Sequence, residues 1–195
     1  MIRILTSADY RSMLWKNGAG RTTEIATHPH GAAFDAFAWR VSIAEVDRDG
    51  PFSRFLGVDR VIALLDGEGM RLRGGTLDAD LTTPFAPHAF SGDEAIDCTL
   101  IAGGIRDFNA MFRRGRARGR IDVVRGDGEE FAPTDFRLAY AATGIHECVI
   151  PGSAPMMLAP GHSLLADNAT GSNGPSMTIK PLASAVALVV SIECR

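Results

Sequence analysis

The chain has 195 residues, 46% of them hydrophobic and 22% charged, with a formal net charge of −3. That length supports a buried core in one large domain or two small fused ones, and the near-neutral balance gives no electrostatic footprint for a nucleic-acid or membrane partner. Three scattered cysteines, Cys98, Cys148 and Cys194, lack any CxxC spacing, so they predict reduced thiols rather than a disulfide frame or a zinc site.

The opening segment MIRILTSADYRSM has neither the long apolar core nor the small-residue cleavage site of a secretory signal. The apolar tail around Leu182–Ile192 is far shorter than the ~20 residues of a membrane span. A cytoplasmic location is the expectation. Next comes 14-LWKNGAGRTTEIA-26, in which Trp15, Lys16 and Asn17 stand before Gly18 and Gly20. The segment reads either as an ordinary turn into a strand or as a presentation of polar groups to a ligand.

His28-Pro29-His30 is a literal HxH, the pattern with which metal-binding barrels present two imidazoles from one strand. The next carboxylates are only Asp35 and Glu45, and the central proline argues against a paired inner strand, so a surface loop is expected. In 39-WRVSIAEV-46, Trp39, Val41 and Ile43 alternate with Arg40, Ser42 and Ala44, a period of two that predicts a strand. The run 60-RVIALLDGEGMRLRG-74 reads as a hairpin turning at Asp66–Gly69. Further short strands are predicted at 95–102, 120–124, 136–141, 146–150, 163–167 and 185–192. No stretch sustains a helical period for three turns, and many short strands at close spacing predict an all-β sandwich or barrel.

A faint internal repeat runs through the chain. Both 59-DRVIALLDGEG and 135-DFRLAYAATGI carry an Asp, an Arg, an apolar strand and a glycine turn, each followed by a Pro–His turn and an Asp. The glycine-to-histidine gaps differ slightly, 21 residues from Gly67 to His88 and 18 from Gly144 to His162. Between the halves, 106-RDFNAMFRRGRARGR-120 is strongly basic. It lacks aromatic interleaving beyond Phe112, so it is taken as a solvated linker strand balanced by 126-GDGEE-130.

Few residues advertise chemistry. His88 and His162 each follow a proline turn but stand without a partner triad, and no metal or cofactor is expected. No G-x-S-x-G elbow, dinucleotide fingerprint or P-loop is present. What remains are polar residues set in or beside apolar strands: Lys16, Asn17, Arg40, Ser42 and Arg60. These are the donors that hold a carboxylate, with arginine gripping it bidentately. An inward arginine needs either a fixed acid, for which Glu24, Asp59 and Asp93 are the candidates, or an anionic ligand. Both readings stay open at this point.

Taken together, 15-WKNGAGRTTEIA-26, 37-FAWRVSIAEV-46, 50-GPFSRFLGVDR-60, 66-DGEGMRL-72, 90-FSGD-93, 98-CTLIAGG-104 and 107-DFNAMFRR-114 resemble the HutD/Ves family in family order. The resemblance covers roughly the first 115 residues. It implies a bicupin, two β-barrel halves in one chain, with a boundary near residue 112 dividing 1–112 from 113–195. It also implies a cupin scaffold without the usual metal triad, linked to histidine utilisation. The role it suggests is non-catalytic and regulatory: binding a small acidic metabolite such as N-formylglutamate. Lys16, Asn17, Arg40, Ser42 and Arg60 are then the expected ligand contacts. Cupin scaffolds often dimerise, and both a homodimer and a monomer fit the sequence. Two other readings compete: a metal-dependent or acid–base enzyme using His88 or His162 with Glu24 or Asp93, and a protein-interaction module presenting one barrel face.

Overall fold

The computed structural model describes residues 1–15, 18, 20–167 and 176–195. Strand β1 (Ile2–Leu5) opens the chain. It is followed by β2 (Arg11–Leu14), β3 (Gly20–His28), β4 (Trp39–Val46), β5 (Gly50–Pro51) and β6 (Val58–Asp66). Then come β7 (Met70–Gly74), β8 (Leu77–Leu81), β9 (His88–Ser91), β10 (Asp97–Leu100) and β11 (Ile105–Arg113). The remainder holds β12 (Ala117–Val124), β13 (Glu129–Phe131), β14 (Phe136–Thr143), β15 (His146–Val149), β16 (Met156–Leu158), β17 (Ser163–Asp167), β18 (Met177–Pro181) and β19 (Val186–Cys194). Among the described residues every regular element is a strand, and no helix is long and apolar enough to cross a membrane.

Two compact units result, Tyr10–Arg118 and a second made of Met1–Asp9 with Gly119–Arg195. The first residues join the second unit because β1 pairs antiparallel with β17, with Ile2 opposite Ala166. In the first unit a six-stranded sheet runs β2-β3-β4-β11-β6-β9, and a four-stranded sheet runs β5-β10-β7-β8. In the second, the orders are β1-β17-β14-β19-β12 and β13-β18-β15-β16. Hydrogen bonding therefore builds two separate sheets in each unit, within the sandwich-or-barrel expectation of the strand pattern but not as the closed barrel halves that the family resemblance implies.

The faint repeat has a structural counterpart. Removing the extra edge strands leaves β4-β11-β6-β9 over β5-β10-β7-β8, and β12-β19-β14-β17 over β13-β18-β15-β16. Each strand of the second set is the one eight places later in the chain, and the order is that of a jelly roll. Strands β6 and β14 correspond, so Arg60 and Arg137, each seven residues before a glycine (Gly67 and Gly144), occupy the same place in the two units.

Alternation decides which side chains meet. In the first unit Ala44, Val46, Ile62, Leu64 and Ile105 pack from the six-stranded sheet onto Met70, Leu72, Leu81 and Cys98 of the other. Each fully buried Leu or Ile of this kind contributes roughly 2 kcal/mol. In the second unit Ala139, Ala141, Leu164 and Val189 face Cys148, Leu158, Met177 and Ile179 in the same way.

Two expectations need correction. The predicted hairpin at 60–74 is a corner, because β6 and β7 belong to different sheets and β7 pairs with β8 and β10. Gly67 and Gly69 turn it with φ of 96° and 112°, where the chain passes so close to Gly104 and Leu81 that a side chain has no room. The supposed solvated linker begins as β11, an interior strand of the six-stranded sheet, with Phe108, Ala110, Met111 and Phe112 buried.

Candidate ligand-binding site

Three neighbouring strands of the first unit bring polar side chains to one face of the six-stranded sheet. On β11, Asp107, Asn109 and Met111 lie opposite Ala44, Ser42 and Arg40 of β4. On its other side β11 sets the same residues opposite Leu64, Ile62 and Arg60 of β6. Directly opposed residues share a face, so this inward-facing surface begins apolar at Ile105 and becomes polar from Asp107 onward. β3 adds Thr22 opposite Ala44 and Glu24 opposite Ser42. The ladders are irregular at two points beside this patch, after Glu24 in β3 and between Arg106 and Asp107 in the β11–β6 pair. Bulges of this kind re-aim side chains and are common next to functional sites.

Above the patch lies a cavity of about 630 Å³, lined by Arg40, Ser42, Arg60, Asp107 and Asn109 among others. A pocket of that size accommodates a small metabolite. The segment from Pro51 to Phe55, between β5 and β6, supplies one wall, and Trp15, Thr22 and Phe34 supply others. Trp15 is held by its Nε1, which donates to Thr22 Oγ1 at 2.8 Å.

The two arginines are partnered differently. Arg40 Nε donates to Glu24 Oε2 at 2.7 Å, and its guanidinium lies 4.7 Å from the Phe34 ring centroid. Its Nη2 has no partner. Among the described residues no carboxylate forms an ion pair with Arg60, and Asp107 acts on it only across a longer distance. Its Nη1 makes a long contact of 3.4 Å to the Ser53 carbonyl, its Nε is unsatisfied, and aromatic rings of Phe90, Phe52 and Phe55 surround it at 4.9, 5.3 and 5.6 Å. Burial pushes the Arg60 guanidinium down to about 10, against the opposing pull of Asp107. Burial likewise pushes the Asp107 carboxyl up to about 7, with Arg60 holding it lower than burial alone would. Asp107 Oδ1 and Asn109 Oδ1 are also buried without a partner. Unpaired buried groups of this kind cost about 1–3 kcal/mol each, and here they share the face that lines the cavity.

Of the sequence-predicted contacts, Arg40, Ser42 and Arg60 meet in this cavity. Lys16 and Asn17 lie outside the described residues. Around them the glycines have structural reasons: Gly18 has φ of 65°, and a Cβ on Gly20 would lie 2.1 Å from the Glu45 carbonyl oxygen. The candidate acids divide. Glu24 does neutralise Arg40, whereas Asp59 and Asp93 both pair with Arg114 on the surface. Asp107 and Asn109 escaped the sequence reading. Their signal was the alternation Asp107-Phe108-Asn109-Ala110-Met111, obscured by the arginines that follow.

The histidines do not form a centre. His28 ends β3 and stacks on Trp39 at 6.0 Å, while His30 is exposed in the turn beyond it. His88 lies opposite Ile62 on β9, and Asp93, one of its proposed partners, accepts from Gly57 N and Arg114 instead. Among the described residues no three His, Cys, Asp or Glu side chains are grouped as metal ligands.

Comparison with known proteins places the chain in a family. The HutD family model matches residues 7–182. The chain belongs to the HutD family. It is 38% identical over 151 residues to an uncharacterized 21.2 kDa protein in the hutC 3′ region of Pseudomonas putida, covering 77% of this chain and 79% of that one. Among solved structures, the conserved protein of unknown function PA5104 from Pseudomonas aeruginosa PAO1 superposes with a TM-score of 0.89 at 37% identity, over 99% of both chains. HutD from Pseudomonas fluorescens SBW25, solved in a formate condition, gives 0.82 at 31% identity over the whole of both. The cupin-like likeness extends to bacterial pirin YhhW from Escherichia coli, with a TM-score of 0.64 at 8% identity over 98% of both chains, a similarity of fold alone. The family is linked to histidine utilisation.

Proposed function

We propose that this HutD-family chain is a binder of a small anionic metabolite, taken up in the cavity of the first unit and held through its carboxylate by Arg60 and the free Nη2 of Arg40. The observation that carries this reading is Arg60: a buried guanidinium enclosed by three aromatic rings, with no carboxylate among the described residues in ion-pair contact and only Asp107 acting on it from farther off. An uncompensated buried charge is expensive, and its Nε belongs to a cavity-lining side chain. Ser42 adds a hydroxyl for orientation, and Lys16 and Asn17 belong to the same proposal as further donors. N-formylglutamate, an acid of the pathway to which the family is linked, is the first candidate ligand. The role is regulatory rather than catalytic, and the two jelly-roll units are read as the halves of a bicupin.

Calorimetric titration with N-formylglutamate, glutamate, urocanate and formate, each with and without divalent metal, tests this. Saturable binding of one acid, independent of metal, is the expected result. Absence of binding by every acid contradicts it.

A second reading is supported by one feature. A carboxyl raised to about 7, as Asp107 is, suits a general acid–base group at neutral pH. Chemical conversion of a bound acid, abolished by Asp107→Asn, would favour an acid–base enzyme over a binder.

A further inference from the structure

The cavity presents acceptors as well as cations, and the acceptors have no internal partners. Asp107 Oδ1 and Asn109 Oδ1 are both buried and unsatisfied. Their residues are 1% and 6% exposed and lie two apart on β11, so both point to the cavity face roughly 7 Å apart along the strand. We propose that Asp107 accepts a hydrogen bond from an N–H group of the ligand, with Asn109 as second acceptor, so that the cavity selects amino acids and N-acylamino acids over plain carboxylic acids. This rests on the carboxylate-binding reading above and narrows its ligand class.

The chemistry follows from what each acid can offer. An ionised aspartate only accepts hydrogen bonds. A plain dicarboxylate satisfies Arg60 but brings no donor to Asp107. An ammonium or amide N–H on the carbon beside the ligand carboxylate supplies the missing donor. Sites built to bond such a group reject analogues lacking it strongly, because the buried partner is then left unpaired. The charged and titratable groups around Asp107 fit this division of labour. Arg60 on β6 faces it as the cation, Arg40 on β4 is engaged by Glu24 of β3, and the Cys98 thiol on the opposing β10 is pushed up to about 12 by burial and by the Asp107 charge. Among the described residues no donor is spent on Asp107 Oδ1.

Glutarate, glutamate and N-formylglutamate form the test, since glutarate is glutamate without its nitrogen. Calorimetric affinities at pH 8 are expected to be at least tenfold tighter for both nitrogen-bearing acids than for glutarate. Asp107→Leu, checked for folding by circular dichroism, removes the acceptor and the like charge together, so it should remove most of that preference and strengthen glutarate binding. The wild-type protein gives an independent readout: glutarate binding tightens as pH falls from 8 to 6, because protonated Asp107 no longer repels it, whereas glutamate binding does not. Equal affinities for all three acids, or a preference that survives undiminished in folded Asp107→Leu, overturns the inference while the carboxylate reading stands. If no acid binds the wild-type protein, both fall.

Discussion

Arg40 and Arg60 flank one residue, Met111, from strands on either side of β11, yet only Arg40 has a carboxylate partner. Two strand spacings separate their backbones, about 10 Å. One buried cation thus has a fixed counter-charge in contact, while the other faces only Asp107, whose own carboxyl burial pushes up to about 7, and that asymmetry marks the site.

That asymmetry predicts opposite mutational responses. Arg40→Met strands Glu24 without its cation and is expected to destabilise the fold by about 3 kcal/mol. Arg60→Met removes an unpaired guanidinium from an aromatic enclosure and is expected to leave stability within about 1 kcal/mol of wild type, or to raise it. Urea unfolding measures both. An equal loss in the two variants would return Arg60 to a structural role.

Asp107 ties stability to pH. Its folded-state pKa lies above its ordinary value of 3.8, at about 7, so the carboxyl favours the folded state most at low pH. That contribution declines as pH rises from about 4 and is lost above about 7. Asp107→Asn, which cannot ionise, is therefore expected to be more stable than wild type at pH 8 by a few kcal/mol, on the order of 4 at most, with little difference at pH 4. Thermal unfolding of the two proteins across that range checks it, and a difference that does not grow with pH contradicts it.

The turn before β3 gives a contrast between two glycines. Gly18 sits at positive φ with open space around it, so Gly18→Ala costs only the conformational strain, about 1 kcal/mol. Gly20→Ala drives a methyl group into the Glu45 carbonyl and toward the Trp15 ring, and should cost at least about 2 kcal/mol. Denaturant midpoints separate the two, and a smaller loss for Gly20→Ala would show that the β3–β4 ladder gives way easily.

His146 is fully buried in the second unit, and among the described residues neither ring nitrogen has a partner. Burial holds its pKa below the usual histidine value, so its contribution is present above about pH 6.5 and is lost as pH falls through the lowered folded value. His146→Leu is expected to raise the unfolding midpoint relative to wild type, and more at pH 5 than at pH 8. A gain independent of pH would mean that packing alone is responsible.

Much of this site was legible in the sequence because its clearest strand, β4, alternates without interruption, and that alternation put Arg40 and Ser42 on one face. Arg60 was legible as a cation at the head of an apolar run. β3 and β11 were harder. The threonines and charged residues of Gly20–His28 blur its alternation, and the arginines from 113 onward gave β11 the look of a solvated segment. Asp107 disappeared with it, although its partner Arg60 had been identified. The corner at Gly67 and Gly69 misled for a different reason: a glycine turn between two apolar runs specifies a reversal, while which sheet the second run joins depends on β8 and β10. Pairing of the chain's first residues with β17 is likewise a long-range choice that no local pattern encodes.

A crystal structure of the protein grown with N-formylglutamate shows whether Arg60 receives a ligand carboxylate. Carboxylate oxygens within roughly 3.2 Å of guanidinium nitrogens of Arg60 and Arg40 are the expected result. A carboxylate seated away from both arginines would contradict it.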